Sequence, residues 1–173
     1  ARKLKDKPDE QDDILTRLQA MAKRSGLAAR YCTNTLEAKE LFEDIVEDMR
    51  RTTERLAGDL DYEITFEGEE LLRRLKLRRR IDLFLFYKEC LANIIRHSGA
   101  SRVSSEVNMT KKELAVTVTD NGRGTQGTMP ASLRRRARLL RAKLSVTSPE
   151  TGGTCVRLVQ TIHSRYLNGG KPL

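Results

Sequence analysis

The sequence predicts an α+β domain, a two-layer sandwich with helices on one side of an antiparallel or mixed sheet and a helical extension before it. Three observations predict it. The most apolar run, IDLFLFYKECLANIIRHSGA from Ile81 to Ala100, is long enough for one buried helix. It is followed by Leu114, Val116 and Val118 alternating with Ala115, Thr117 and Thr119, the period-2 pattern of a half-buried strand. Two strand pairs closed by short polar turns, Val103–Asp120 and Leu144–Leu158, then supply the hairpins of a sheet.

Taken in order, residues 1–11 are polar and expected to be loose. Asp13 can cap a helix whose stripe is Ile14, Leu18 and Met21, ending near Ser25-Gly26. That thin stripe suits one strand of a dimerisation stalk, and equally a loosely packed surface helix. Asn34 with Glu37 three residues on resembles a capping box. The helix after it aligns Leu41, Ile45 and Met49, with Phe42, Val46 and Leu56 beside them, and should stop near Gly58. Tyr62, Ile64 and Phe66 alternate with polar residues as a strand turning at Gly68, and the charged segment Glu69–Arg80 leads into the central helix. There Ile81, Phe84, Leu85, Leu91, Ile94 and Ile95 leave little room for a polar face, and Ser98-Gly99-Ala100 breaks the run. Val103, Val107 and Met109 form the next strand, and Lys111-Lys112 turns it into Leu114–Asp120. A short polar loop from Gly124 to Met129 precedes a basic helix, Leu133–Ala142. The second hairpin turns at Pro149–Gly153 between Leu144/Val146 and Val156/Leu158. The segment Ser164–Leu173 is expected to fray. The domain boundaries this implies are 1–35 for the extension, 36–162 for the domain and 163–173 for a flexible tail.

The chain has 173 residues, 38% hydrophobic and 33% charged, enough for one sizeable core. It holds no apolar run long enough to cross a bilayer, and its start, ARKLKDKPDEQDD, is not a signal peptide. The three cysteines, Cys32, Cys90 and Cys155, lack metal-ligand spacing, which fits a reducing compartment. The chain reads as cytoplasmic. Its net charge of +9 raises a nucleic-acid reading. The basic clusters, Arg73–Arg80 and Arg134–Arg141, carry no nucleic-acid motif and little aromatic interleaving, so solvated helix faces are the better reading. No direct nucleic-acid partner is expected.

Two places keep chemistry inside apolar surroundings. Glu89, Asn93 and His97 recur at i, i+4 and i+8 on the central helix, so they share one stripe. Burying such groups without partners costs about 1–3 kcal/mol each, and something on that face should satisfy them. Asp120 continues the inward set of its strand, where the chain runs into Asn121-Gly122-Arg123-Gly124. The two glycines there permit close backbone approach by a ligand.

Glu89-x3-Asn93-x3-His97 followed by Asp120-x-Gly122-x-Gly124 resembles the N box and G1 box of the GHKL ATPases. The run KECLANIIRHSGASRV…LAVTVTDNGRG is most similar to the ATPase domains of bacterial sensor histidine kinases of the DesK/NarX-like branch. The resemblance covers about Leu36 to Ile162 and implies the Bergerat fold, with ATP held between sheet and helices. It implies that Asn93 coordinates Mg²⁺, that Glu89 orients the acceptor or water near the γ-phosphate, and that His97 lies near the phosphates. For His97 a satisfied histidine at a helix C-terminus is an equal reading. Asp120 would accept from the adenine amino group, Gly122 and Gly124 would let the backbone close on base and ribose, and Gly153-Thr154 would help seat the adenine.

Two departures stand out. The family's G2 box, Gly-x-Gly-Leu at the foot of the ATP lid, falls on Gly127-Thr128-Met129-Pro130, and the lid is short. Proline lacks an N–H and methionine crowds the approach, so phosphate gripping falls partly to Arg123 and Arg134–Arg136. The histidines are His97 and His163, neither placed as a phosphoacceptor, so the acceptor is expected upstream of Ala1. The leading reading is therefore the catalytic domain of a sensor histidine kinase using ATP and Mg²⁺. It would act as a homodimer through upstream helices and pass phosphate to a response regulator; any membrane anchor would lie outside this chain. The alternative is a non-catalytic GHKL-fold signalling module with a degenerate lid. An anti-sigma serine kinase and a nucleic-acid binder rank below both.

Overall fold

A computed structural model describes residues 44–125, 129–149 and 152–168. The chain divides into two compact units, Ala1–Leu41 and Phe42–Leu173. The expected helix at Asp13 and the capping box at Asn34 lie outside the described residues, as does Gly127-Thr128.

The first described element is α1, Ile45–Ala57. Asp44 is its N-cap, with extended backbone and a side chain accepting from the Val46 and Glu47 N–H groups. A helix unbroken from Asn34 to Gly58 is thereby corrected: the Asp44 carboxylate satisfies free amides that a longer helix would bond to its own carbonyls. Burial pulls that carboxyl upward, but hydrogen bonds from Arg73 and from the two amides outweigh it and hold it below its usual range. Strand β1, Asp61–Glu67, is followed by a short helix α2, Glu69–Arg73, and the long helix α3, Leu77–Asn93. Helix α3 continues into a π-helical turn, Ile94–Ser98, closed by Gly99 at φ 63°. Strands β2 (Arg102–Met109) and β3 (Glu113–Asp120), helix α4 (Ala131–Leu140), and strands β4 (Lys143–Thr147) and β5 (Thr154–Thr161) complete the domain.

The five strands form one mixed sheet ordered β1-β2-β3-β5-β4. The β1–β2 pair is parallel, because α2 and α3 carry the chain across between them. The other neighbours are antiparallel, including both expected hairpins. Alternation puts Val103, Val107, Leu114, Val116, Val118 and Leu158 on the face covered by helices, with Ile45, Met49, Leu83, Phe86 and Leu140. At about 25 cal/mol per Å² of apolar surface, this shared face is the main force holding the two layers together. The two-layer α/β sandwich is as the sequence implied.

Helix α3 is rotated relative to its expected face. Leu83, Phe86, Tyr87, Cys90 and Leu91 are buried, Ile81, Phe84 and Leu85 are half-buried, and Ile95 is 46% exposed. The cause is a polar contact inside the core. The Tyr87 hydroxyl meets Thr53 of α1 at 2.5 Å and Ser105 of β2 at 3.4 Å, and Thr53 also donates to the Met49 carbonyl. Satisfying three buried hydroxyls fixes which side of α3 faces the sheet. The same burial pushes the Tyr87 phenol above its usual range.

The expected flexible tail is corrected in its first part. Ser164–Tyr166 is a 3₁₀ turn, Tyr166 is buried, and Leu167 bridges Leu75. The Lys76 N–H donates to the Tyr166 carbonyl at 2.8 Å, and the Asn168 N–H to the Arg74 carbonyl at 2.7 Å. A buried aromatic ring, absent from a pattern of polar residues, holds this segment across the start of α3.

Candidate functional site

A cavity of about 360 Å³ opens where the C-terminal end of α3, the end of β3 and the start of α4 converge. Asn93 and His97 line it from α3 and the π turn, Asp120 and Gly124 from the end of β3, and Thr154 from β5. Cys90, Leu133, Val146 and Val156 supply its apolar wall. An apolar cleft with a few convergent polar groups is the usual form of a small-molecule site, and this volume lies in the lower part of the usual range.

Asp120 is 4% exposed. Its Oδ1 accepts from the Gly122 N–H at 2.8 Å, which fixes the carboxylate; Oδ2 makes no hydrogen bond among the described residues. Gly122 cannot be larger: a Cβ there would lie 2.4 Å from the Ser98 carbonyl oxygen and 2.8 Å from Asp120 Oδ1. Gly153, at φ 83°, packs more tightly still, with a Cβ position 1.9 Å from the Asp120 carbonyl oxygen. Neither glycine lines the cavity. They act from behind, letting the loop after β3 and the β4–β5 turn close around the end of β3.

Asn93 is the last α-helical residue before the π turn. Its Nδ2 is buried without a hydrogen-bond partner. Amide oxygen and nitrogen exchange by a simple flip, so the site offers either a donor or an acceptor to the cavity. Such a group is costly to leave unmatched in the apolar surroundings of Cys90 and Ile94. His97 is exposed at the cavity rim. Glu89 is half-buried and does not line the cavity. It lies one α-helical turn, roughly 6 Å, further from the helix end than Asn93. Glu89 and Asn93 keep α-helical spacing, and the π turn alters the pitch only between Asn93 and His97, so it is depth along the helix that leaves Glu89 out of the cavity.

Cys90 is fully buried; burial, and then the neighbouring Glu89 charge, push its thiol well above the usual range. It is therefore an apolar wall group and not a nucleophile.

The loop bases were less visible in the sequence. The Arg123 N–H donates to the Ser98 carbonyl and its Nε to the His97 carbonyl, both at 3.0 Å, so this residue closes the π turn. The expectation that Arg123 helps grip phosphate is corrected to that extent: one face of its guanidinium is engaged with the backbone. Ser148 accepts from the Thr125 N–H at 2.9 Å and donates to the Thr125 carbonyl at 3.1 Å, fastening the loop beyond Gly124 to the end of β4. A lone serine beside a turn, such as Ser148, carries no spacing signal in the sequence.

Pro130 is the N-cap of α4 and lines the cavity with Leu133. Being the cap, it removes only its own N–H. Among the described residues the first-turn amides of α4 have no side-chain cap, and the positive end of that helix lies beside the cleft.

No protein-family model matches the chain, and no curated protein matches it. Solved structures do. The chain is similar to the histidine kinase domain of the blue-light activated histidine kinase of Erythrobacter litoralis, at 20% identity and TM-score 0.52, over 67% of this chain and 58% of that one. The shared part is therefore just over half of that domain structure. It is also similar to the ATP binding domain of PrrB from Mycobacterium tuberculosis, at 19% identity and TM-score 0.53, over 68% of this chain and 90% of that one. The mycobacterial sensor histidine kinase MprB matches at 19% identity and TM-score 0.52, over 68% of this chain and 94% of that one. Identities this low speak for the fold. The described domain has the fold of the ATP-binding domains of histidine kinases.

Proposed function

We propose that this domain binds Mg-ATP in the cavity at the end of α3 and serves as the catalytic domain of a sensor histidine kinase of the DesK/NarX-like branch. The observation that carries the reading is the pairing of Asn93 and Asp120 in one apolar cleft. One presents a buried, unpartnered amide atom and the other a carboxylate fixed by Gly122 with one oxygen left over. A free carboxylate oxygen in an apolar cleft suits the exocyclic amino group of adenine. The amide of Asn93, turned with its oxygen to the cavity, suits a hard cation carried in with phosphates. Mg²⁺, when bound, supplies charge neutralisation of the phosphate oxygens. Among the described residues no group of three or more His, Cys, Asp and Glu side chains could hold a metal, so Asn93 would act with the phosphates rather than as part of a protein cage.

The chain's own residues then divide the work. Asp120, Thr154 and the glycine-closed loops hold the base and ribose. Asn93 and His97 face the phosphates, and the free amides of α4 support them. Glu89, one turn back, orients the acceptor. The acceptor histidine belongs to a segment outside this chain, the dimer forms through helices outside the described residues, and a response regulator takes the phosphoryl group on.

A second reading has a specific observation behind it. Met129 and Pro130 stand where the family has Gly-Leu, beside the start of α4. A domain with that lid could signal by conformation without turnover. Calorimetric titration of the chain with a non-hydrolysable ATP analogue, with and without Mg²⁺, separates the two. The kinase reading expects Mg²⁺-dependent binding that Asn93→Asp and Asp120→Asn each weaken severely. Absence of binding at millimolar nucleotide in a folded sample would favour the module.

A further inference from the structure

The opposite end of α3 holds a second cavity, of about 340 Å³, lined by Lys76, Arg78, Arg79, Arg141, Arg165 and Tyr166. Five of its six lining residues are cations and none is acidic. They come from three distant parts of the sequence: the start of α3, the residue closing α4, and the 3₁₀ turn after β5. Among the described residues only Arg78 of these has a carboxylate partner, Asp82 of its own helix at 3.3 Å. Among the described residues no carboxylate lies within 4 Å of Lys76, Arg79, Arg141 or Arg165. Elsewhere Arg50, Arg51, Arg73 and Arg102 meet carboxylates.

The cations are held in place. The Arg79 guanidinium lies 4.1 Å from the centre of the Tyr166 ring and donates to the Leu139 and Leu140 carbonyls at the end of α4. Arg165 lies 5.1 Å from the same ring and donates to the Tyr166 hydroxyl at 3.2 Å. Arg141 has left-handed backbone, φ 54°, the one non-glycine residue of that kind among the described residues. Stacking on an aromatic ring lowers the entropy lost when a guanidinium takes up a ligand. Gathering like charges in this way is unfavourable by itself, and a multivalent anion removes the penalty.

We propose that this cavity is a second anion site, distinct from the nucleotide cleft, that takes a small soluble oxyanion carrying two or more phosphates. Guanidinium forks match phosphate oxygens two at a time, and a cavity of this size admits a diphosphate but not a folded chain. The inference does not depend on the nucleotide reading, since it uses no residue of that cleft.

The test is titration of the whole chain with sodium pyrophosphate at low salt, followed by the backbone and arginine Nε signals in NMR. Two variants are compared with the parent: Arg141→Gly, which suits the left-handed backbone, and Lys76→Ala/Arg165→Gln. The expected result is saturable binding that shifts the Arg79 and Arg165 signals and the amides around Lys76. It should weaken at least about tenfold in the double variant, which removes two of the cations, and fall steeply with added salt. Binding of an ATP analogue should be unchanged in the same variants. Pyrophosphate shifts confined to Asn93, His97 and the start of α4 would overturn the proposal, as would binding indifferent to both variants. A parallel arm uses phosphatidylcholine vesicles containing phosphatidylglycerol; vesicle binding without pyrophosphate binding would make the patch a membrane contact and also overturn it.

Discussion

The two ends of α3 differ in how they treat charge. At its C-terminal end the helix loosens into a π turn beside a mostly apolar cleft, where the polar groups are few and individually fixed. At its N-terminal end five cations crowd one cavity around a tyrosine ring. The net charge of +9 thus says little about the cleft at the C-terminal end, which has no lysine or arginine lining it among the described residues. A ligand there would be recognised by a few placed atoms in low dielectric, and a ligand at the other end by field and stacking. Between them, the Thr53–Tyr87–Ser105 contact fixes the rotation of the helix, and so positions both ends at once.

The most damaging change should be Gly153→Ala. A Cβ 1.9 Å from the Asp120 carbonyl oxygen, on a backbone at φ 83°, cannot be accommodated without moving β3 from β5. We expect a loss of roughly 3 kcal/mol or more, read as a fall in the thermal midpoint, with the N-terminal cavity damaged only through global unfolding. Next, Asp120→Asn should leave the midpoint close to the parent and weaken adenine-nucleotide binding by about 2 kcal/mol, near thirtyfold. Calorimetry with unchanged affinity would remove Asp120 from the site.

Tyr87→Phe probes the middle of the helix. It removes the Ser105 hydroxyl's contact with Tyr87, while Thr53 keeps the Met49 carbonyl, and should cost about 1 kcal/mol in chemical denaturation. If instead it changes affinity at one end only, the idea that this contact sets both ends is wrong.

A smaller effect belongs to Asp48 on α1, whose Oδ2 is buried without a hydrogen-bond partner. Burial raises its carboxyl to about 6, against the attraction of Arg51 and Arg80. Between about pH 4 and pH 6 the folded state then holds a proton that the unfolded state has released, so this group's contribution to stability falls as pH rises through that window. Asp48→Asn should flatten that slope and stabilise the protein at neutral pH by about 1 kcal/mol, a figure reduced for the residue's partial exposure. Denaturation midpoints measured at pH 4.5 and 7 in both proteins give the comparison. Least of all, Arg141→Gly should keep stability within about 0.5 kcal/mol of the parent, since relief of left-handed backbone offsets the entropy glycine adds to the unfolded chain.

Much of the fold was legible in residue order. Alternation along Leu114–Asp120 and the two turn-linked hairpins needed nothing beyond strand period, and the helices flanking them followed from apolar spacing. The apparent breadth of the apolar face on α3 concealed its orientation, because Phe84, Leu85 and Ile95 count as core by composition while a hydrogen bond between Tyr87 and two other elements decides the matter. In the candidate site, Asn93, His97, Asp120, Gly124 and Thr154 were legible and are brought to one cleft. Glu89 was placed with them by α-helical spacing, but it lies one helical turn back from the cleft. Ser148 and the apolar wall were illegible, because they belong to segments far apart in sequence with no motif of their own.

By itself, the sequence determined the periodicity of each element, the positions where glycine is needed, and which few polar groups lie among apolar ones. These are local properties, set by backbone sterics and by the cost of burying a polar atom. Only the tertiary structure decided the pitch change at Asn93, the packing of Ser164–Asn168 across the start of α3, and the meeting of Lys76, Arg141 and Arg165 around Tyr166. Each of those depends on which distant segments share a surface, and pairing across 24 to 94 residues leaves no trace in any local window.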